Sequence, residues 1–195
     1  MVANSLIELA LRNPANLAIL DALPGLNIPD AWLVSGCVFQ SVWNGLTKRA
    51  PQYGVMDYDV FYFDPDTSFE AEDYFIRKCA AAFDGLGVEV QVRNQARVHL
   101  WYPEKFKRPY PPLCDTTDAL NRFLAPACAV ALQRHGSEYR VAAPFGLGDV
   151  FAMIIRRNPS VQGSSAEYDA KARRWKRMWP EIIVLPWDQV SPSEA

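Results

Sequence analysis

Residues 56–63, MDYDVFYF, contain the clearest strand pattern in the sequence and the strongest functional signal. Its alternation predicts a strand on which Asp57, Asp59 and Phe61 share one face. Two carboxylates so placed lie about 6 to 7 Å apart, a separation that one or two hard cations can bridge. Neighbouring negative charges are costly unless a cation or solvent accompanies them. We therefore predict a divalent-cation site here, with two solvated aspartates at a strand edge as the alternative.

The patterns around this strand predict an α+β fold. Residues 88–92 alternate between valine and polar side chains, which indicates a second strand, while residues 38–46 and 71–83 carry apolar residues at helical spacing. Helices and strands are interspersed without the strict alternation of a doubly wound sheet. We expect a mixed β-sheet with helices packed against it, with a core over about residues 30–101 and a C-terminal elaboration over residues 102–195.

Length and composition favour a single domain over residues 1–195. A chain of 195 residues can bury one substantial core, and 50% hydrophobic with 22% charged residues is an ordinary globular balance. Lysine and arginine number 20 against 22 acidic residues, which gives a formal net charge of −2. This balance disfavours a nucleic-acid backbone or an anionic membrane as partner, so we expect a small solute.

The sequence favours the cytoplasm. It contains no apolar run near the roughly 20 residues that span a bilayer, and its start lacks a basic region followed by a small-residue cleavage site. The four cysteines are far apart and form no CxxC pair: Cys37, Cys79, Cys114 and Cys128. We therefore expect reduced, mostly buried thiols and neither a zinc knuckle nor a redox motif.

Ser35, Gly36 and Cys37 precede the aspartate pair at the predicted entrance of a helix. Glycine there lets the backbone approach a phosphate, and the unpaired N–H groups of the helix start can donate to it. Taken with MDYDV, this arrangement resembles the polymerase-beta-type nucleotidyltransferase superfamily, whose pattern is an apolar residue, Gly, then Gly or Ser, followed by two acids on a strand. Gly36 matches that glycine, and Cys37 stands where Gly or Ser is usual.

The resemblance extends over nearly the whole chain to a family of uncharacterised bacterial proteins called nucleotidyltransferase-like. Five stretches occur in the family's order: SGCVFQSVWNGL, DYDVFYFD, VRNQARVHLW, APFGLGDVF and RRNP. The resemblance implies a nucleotidyltransferase core with Mg²⁺ (or Mn²⁺) on Asp57 and Asp59. We accordingly expect Ser35, Gly36 and Cys37 to bind nucleotide.

A third carboxylate from a later strand usually completes such a site, as general base for the incoming hydroxyl and as a further metal ligand. Glu89 is the candidate, because it lies on the polar face of the strand predicted for residues 88–92. Gln91 lies on the same face and can occupy the equivalent position without a charge. If neither supplies a carboxylate, the site can bind nucleotide without turning it over.

The segment RNQARVHLW, residues 93–101, is dense in side chains that form directed hydrogen bonds. Two arginines near a two-acid site suit the negative charge of a triphosphate, and Arg97 is the first choice between them. His99 and Trp101 can read or stack on a base or an acceptor. Four of these residues are predicted to bind nucleotide: Arg93, Asn94, Arg97 and His99. A polar strand edge with satisfied side chains is the alternative, and a helix can also hold the end of this segment.

Two later features invite functional interpretations that we do not favour. The run KARRWKRMW, residues 171–179, interleaves basic and aromatic side chains as nucleic-acid binders do. On a helix, however, Trp175 and Trp179 share one face, which predicts a helix docked on the core with its charges solvated. Asp149 lies near the start of a predicted helix, where a carboxylate complements the helix dipole.

The leading hypothesis is Mg²⁺-dependent transfer of a nucleotidyl group from an NTP to an unidentified acceptor that carries a hydroxyl or a phosphate. A nucleotide-binding or regulatory module that kept the fold and lost turnover is the main alternative. A protein-interaction domain without a ligand is a third hypothesis, and it predicts that Asp57→Asn changes neither metal nor nucleotide affinity.

Overall fold

The computed structural model describes residues 2–161 and 163–189 and has a mixed five-stranded sheet at its centre. The strand order is β3-β2-β1-β4-β5. The five strands are β1 (Trp32–Val34), β2 (Asp57–Tyr62), β3 (Glu89–Asn94), β4 (Ala131–His135) and β5 (Glu138–Ala142). β2 and β3 are parallel, whereas the other neighbours are antiparallel. The predicted α+β fold with a mixed sheet is therefore confirmed.

Helices pack against this sheet. The described residues form α1 (Val2–Leu11), α2 (Pro14–Ala22), α3 (Gly36–Leu46), α4 (Phe69–Phe83), α5 (Val98–Phe106), α6 (Gly148–Phe151) and α7 (Ser165–Met178). The even-numbered residues of β2 are buried beneath them: the Tyr58 hydroxyl accepts a hydrogen bond from Asn13, and the Tyr62 ring lies 5.2 Å from that of Phe75 in α4. Because side chains alternate along a strand, the odd-numbered residues of β2 face the other side.

The long helix α7 is fixed by aromatic packing. Trp175 and Trp179 are buried, and the Trp179 ring lies 5.4 Å from that of Trp43 in α3. The Trp179 indole N–H donates to Asn44 Oδ1 at 2.9 Å, so its polar atom is satisfied within the core. The prediction that these tryptophans dock the helix on the core is confirmed.

Asp149 lies in the first turn of α6, as predicted, but this helix is only one turn long. It is followed by Met153 at φ +54° and by β6 (Ile154–Ile155), which pairs in parallel with β7 (Ile183–Val184). The strand predicted for residues 88–92 ends at Asn94, whose side-chain Oδ1 accepts from the backbone N–H of Ala96. A 3-10 turn then leads into α5, so a helix holds the end of the segment 93–101, which was one of the two alternatives.

The cysteines and the lengths of the helices can be compared with the sequence predictions. All four cysteines are free thiols, and three of them, Cys37, Cys79 and Cys128, are buried. Within the described ranges, no helix is both long enough and apolar enough to cross a bilayer.

Candidate active site

The odd-numbered face of β2 carries Asp57 and Asp59, which both line a cavity of about 250 Å³. The start of α3 closes one side of this cavity, with Ser35, Gly36 and Gln40 in its wall. The sequence prediction that the glycine entrance and the aspartate pair lie together is therefore met by the geometry.

The two carboxylates repel each other in a partly buried place. Burial, and then the neighbouring charge of Asp57, raise the pKa of Asp59 from 3.8 to about 6, while Arg93 and Lys171 act in the opposite direction. An ionised pair here is unfavourable until positive charge is added. A divalent cation would supply that charge.

The start of α3 forms a narrow cradle beside the pair. A Cβ atom at Gly36 would lie 3.4 Å from Gln40 Nε2 and 3.9 Å from Asp57 Oδ1, so a side chain there would fill the space in front of the carboxylate. Gln40 Oε1 is buried and has no hydrogen-bond partner among the described residues. The donor set of carboxylate and amide oxygens fits a hard cation such as Mg²⁺.

Ser35 holds a backbone conformation that serine rarely adopts. Its φ is +57° and its ψ is −115°, and it precedes α3 without a side-chain capping hydrogen bond. Its N–H donates to the Val130 carbonyl at 2.8 Å, which helps to hold the conformation. Strained backbone of this kind costs about 1 to 3 kcal/mol and clusters at ligand sites.

Cys37 does not line the cavity with its side chain. The thiol is fully buried and donates to the Val34 carbonyl at 3.5 Å, and burial raises its pKa well above the ordinary value. Any contact between Cys37 and a nucleotide would therefore come from its backbone N–H in the first turn of α3.

The register of β2 and β3 decides what lies beside each aspartate. Glu89 is paired with Asp57, and the uncharged Gln91 is paired with Asp59. The Gln91 amide donates to Glu89 Oε1 at 2.7 Å. In the part of the chain that the structure describes, no three acidic, cysteine or histidine side chains converge on a metal position. Glu89 therefore does not complete a metal cage with the pair, and its role as a general base stays a prediction.

Sequence reasoning missed two cations that line the same cavity. Lys171 and Arg174 of α7 lie in its wall, together with Trp175. The Trp175 indole N–H is buried without a hydrogen-bond partner among the described residues. The two cations are three residues apart and so share a helix face, which was a signal available in the sequence. We had expected the charges of this helix to be solvated.

The chain is similar to known proteins in sequence and in fold. A family model described as a nucleotidyltransferase matches residues 21–184. The chain belongs to this nucleotidyltransferase family. A solved structure whose title says that it "reveals a CCA-adding enzyme head domain" matches with a TM-score of 0.75 at 24% identity, covering 93% of this chain and 94% of that chain. That likeness is one of fold. No curated protein sequence matches the chain.

Of the other residues predicted to bind nucleotide, Arg93 lies near the aspartate pair and Asn94 does not. Arg93 is exposed on β3, and its charge opposes the rise in the pKa of Asp59 that burial and Asp57 cause. Asn94 is fully buried, and its side chain accepts from the Asp64 N–H and donates to the carbonyls of Asp64 and Asp66. It therefore fixes the loop after β2, a role that fully uses its amide.

Arg97 and His99 also lie outside the cavity wall. Arg97 forms an ion pair with Glu72 of α4, and both side chains are largely buried, at 15% and 11% exposed. Glu72 also accepts from the Asn94 N–H at 3.0 Å. The Nδ1 atom of His99 is buried without a hydrogen-bond partner among the described residues. The structure does not bring either residue to the aspartate pair.

Replacing Arg97 by methionine should therefore destabilise the fold more than it weakens nucleotide binding. The variant leaves the Glu72 carboxylate buried without its partner, which costs about 3 kcal/mol or more in the free energy of unfolding. Urea denaturation measures that loss. Arg140→Met is the matched control, because Arg140 is exposed on β5 and its replacement should leave both stability and nucleotide binding nearly unchanged. A variant of Arg97 that unfolds like the wild type but no longer binds nucleotide would restore Arg97 to the binding site.

Proposed function

We propose that the protein transfers a nucleotidyl group from an NTP to an acceptor that carries a hydroxyl or a phosphate, with Mg²⁺ held by Asp57 and Asp59. One observation carries the proposal: two carboxylates, a helix start with a glycine and two cationic side chains all line one cavity. Acids alone would suit a cation, and cations alone would suit an anion. Both together suit a metal-bound triphosphate.

Mg²⁺ usually binds through one or two carboxylates and takes its other ligands from water and substrate phosphates. In the described residues, no third acidic, cysteine or histidine side chain joins the pair in a metal cluster, which is compatible with that coordination. When bound, the ion would neutralise charge that develops on the reacting phosphate and on the leaving pyrophosphate.

The protein's own groups would position the phosphates. Lys171 and Arg174 would donate to phosphate oxygens from α7, and the N–H groups at the start of α3 would donate from the opposite wall. In the reaction, the acceptor oxygen forms a bond with the α-phosphorus while the bond between that phosphorus and the bridging oxygen breaks. Pyrophosphate leaves with the electron pair of that bond, and Glu89 is the candidate to take the acceptor proton.

One observation supports a second function, which is nucleotide binding without turnover. The side chain opposite Asp59 on β3 is the amide of Gln91, which cannot take a proton from an acceptor. A nucleotide-binding or regulatory module would need the phosphate and metal contacts but no general base.

Transfer of label from the α-phosphate separates the two functions. The full chain is incubated with Mg²⁺, each NTP labelled at the α-phosphate and a pool of small hydroxyl-bearing and phosphate-bearing acceptors. We expect label on an acceptor and an equal amount of pyrophosphate, both lost in Asp57→Asn and kept in Asp84→Asn, which changes an exposed aspartate beyond α4. Tight NTP binding with neither product would favour the regulatory module.

A further inference from the structure

A second cavity, of about 200 Å³, lies on the face of the sheet that carries Asp57, Asp59 and Phe61, and aromatic rings form its wall. Its wall contains Phe61, Trp101, Tyr102, Tyr110 and Phe123. The rings come from β2, from α5 and from the segment after it, so the fold gathers them from distant parts of the sequence. A cavity of roughly 150 Å³ can hold one benzene ring, so this one has room for a planar heterocycle.

This aromatic cavity adjoins the cavity of the aspartate pair. Phe123 lines both, and its ring stacks on that of Phe61 with the centroids 6.2 Å apart. Phe61 follows Asp59 by two residues on the same face of β2, a separation of about 6 to 7 Å. The two cavities are therefore neighbours along β2, with Phe123 in the wall of both.

Two arginines line the aromatic cavity. Arg93 is one of them, and on β3 it is paired with Phe61 of β2. Arg122 lines the aromatic cavity as well and lies 6.0 Å from the Tyr110 ring centre. Arginine donates hydrogen bonds and accepts none. An apolar chain would leave these donors unused, whereas a ring with acceptor atoms joined to a phosphate would use them.

We propose that the aromatic cavity receives the nucleobase of the NTP whose phosphates lie at Asp57 and Asp59. The inference rests on the proposed function and adds the place and the chemistry of base recognition. Trp101 is the principal stacking residue, because it is half-buried and its ring is the largest in the wall. Every base has a π-face, so stacking adds affinity for all four NTPs.

Two ligands test the proposal in the full chain with Mg²⁺: an NTP, and inorganic tripolyphosphate, which has phosphates and no base. Calorimetric titration gives their affinities for the wild type, Trp101→Ala and Tyr74→Ala, where Tyr74 is an exposed aromatic residue of α4. We expect Trp101→Ala to lower NTP affinity by about 10- to 100-fold and to leave tripolyphosphate affinity unchanged. Tyr74→Ala should change neither.

A milder variant keeps the test valid if alanine disturbs the fold. Trp101→Phe retains a ring, so it should bind NTP with nearly wild-type affinity and lose the nucleotide-dependent quenching of fluorescence that Trp101 contributes. NTP affinity that does not change in Trp101→Ala, or that falls equally with tripolyphosphate affinity, would overturn the base site and leave the proposed function standing. Failure of the wild type to bind either ligand would overturn both.

Discussion

Replacing Asp59 by asparagine should lower the rate of nucleotidyl transfer by about 10³-fold or more and, in the same variant, stabilise the metal-free fold. Asparagine keeps the shape but has no negative charge and only one acceptor oxygen, so the cation loses a ligand where charge develops in the transition state. The fold gains stability because no charge is then buried at this position and because the repulsion with Asp57 disappears. Label transfer measures the first effect, and urea denaturation without metal measures the second.

The stability effect has a definite dependence on pH. The pKa of Asp59 rises from 3.8 to about 6 in the folded state, so the folded chain holds its proton more tightly than the unfolded chain does. The stability of the metal-free wild type should therefore fall as the pH rises from about 4 to about 6, by up to about 3 kcal/mol, and level off above. Asp59→Asn should lack this decrease, and Mg²⁺ at neutral pH should reverse it in the wild type.

Asp84→Asn is the control for this prediction, because it removes one exposed carboxylate and leaves the cavity intact. It should keep both the transfer rate and the wild-type pH profile. An Asp59→Asn protein that transfers nucleotide at the wild-type rate would contradict the metal assignment, and a wild-type profile that is flat between pH 4 and 6 would contradict the charge argument.

Replacing Lys171 and Arg174 together by glutamine should lower the affinity for Mg²⁺·NTP by about 100-fold or more. Both side chains line the cavity of the aspartate pair, and hydrogen bonds from charged groups contribute about 1.5 to 3 kcal/mol each. The fold should persist, because α7 is held by its buried tryptophans and not by these exposed cations. Equilibrium titration with Mg²⁺·NTP measures the change.

The matched control is the double variant Arg173→Gln and Arg177→Gln, which removes the same charge from the same helix on residues outside that cavity wall. It should lose little affinity. Equal losses in the two double variants would mean that only the overall charge of α7 matters, and the assignment of Lys171 and Arg174 as phosphate ligands would be wrong.

The sequence predicted the elements whose signal is local. Alternation in β2 fixes the side to which Asp57 and Asp59 point, and the four-residue spacing of Trp175 and Trp179 fixes the buried side of α7. The glycine entrance of α3 follows from local chemistry as well. These features depend on neighbours a few residues away, so a pattern can reveal them.

Features set by packing between distant segments were not predicted. Lys171 meets the aspartate pair only because α7 folds back over the sheet, more than a hundred residues after β2. Arg97 was expected beside the nucleotide because two arginines near a two-acid site suit a triphosphate, but the Asn94 side chain caps a turn and Arg97 pairs with Glu72. The polar side chains of a segment can form hydrogen bonds and ion pairs within the protein itself. The sequence of the segment alone does not show which partner each side chain binds.

The most direct test of the central claim is thermal unfolding with each of the four NTPs, with and without Mg²⁺, for the wild type and Asp57→Asn. A ligand at about 100 times its dissociation constant adds roughly 2.7 kcal/mol of stability, which is visible as a higher melting temperature. We predict a shift that requires both Mg²⁺ and the NTP and that Asp57→Asn abolishes. No shift with any NTP, or an equal shift in both proteins, would contradict a metal–nucleotide site at the aspartate pair.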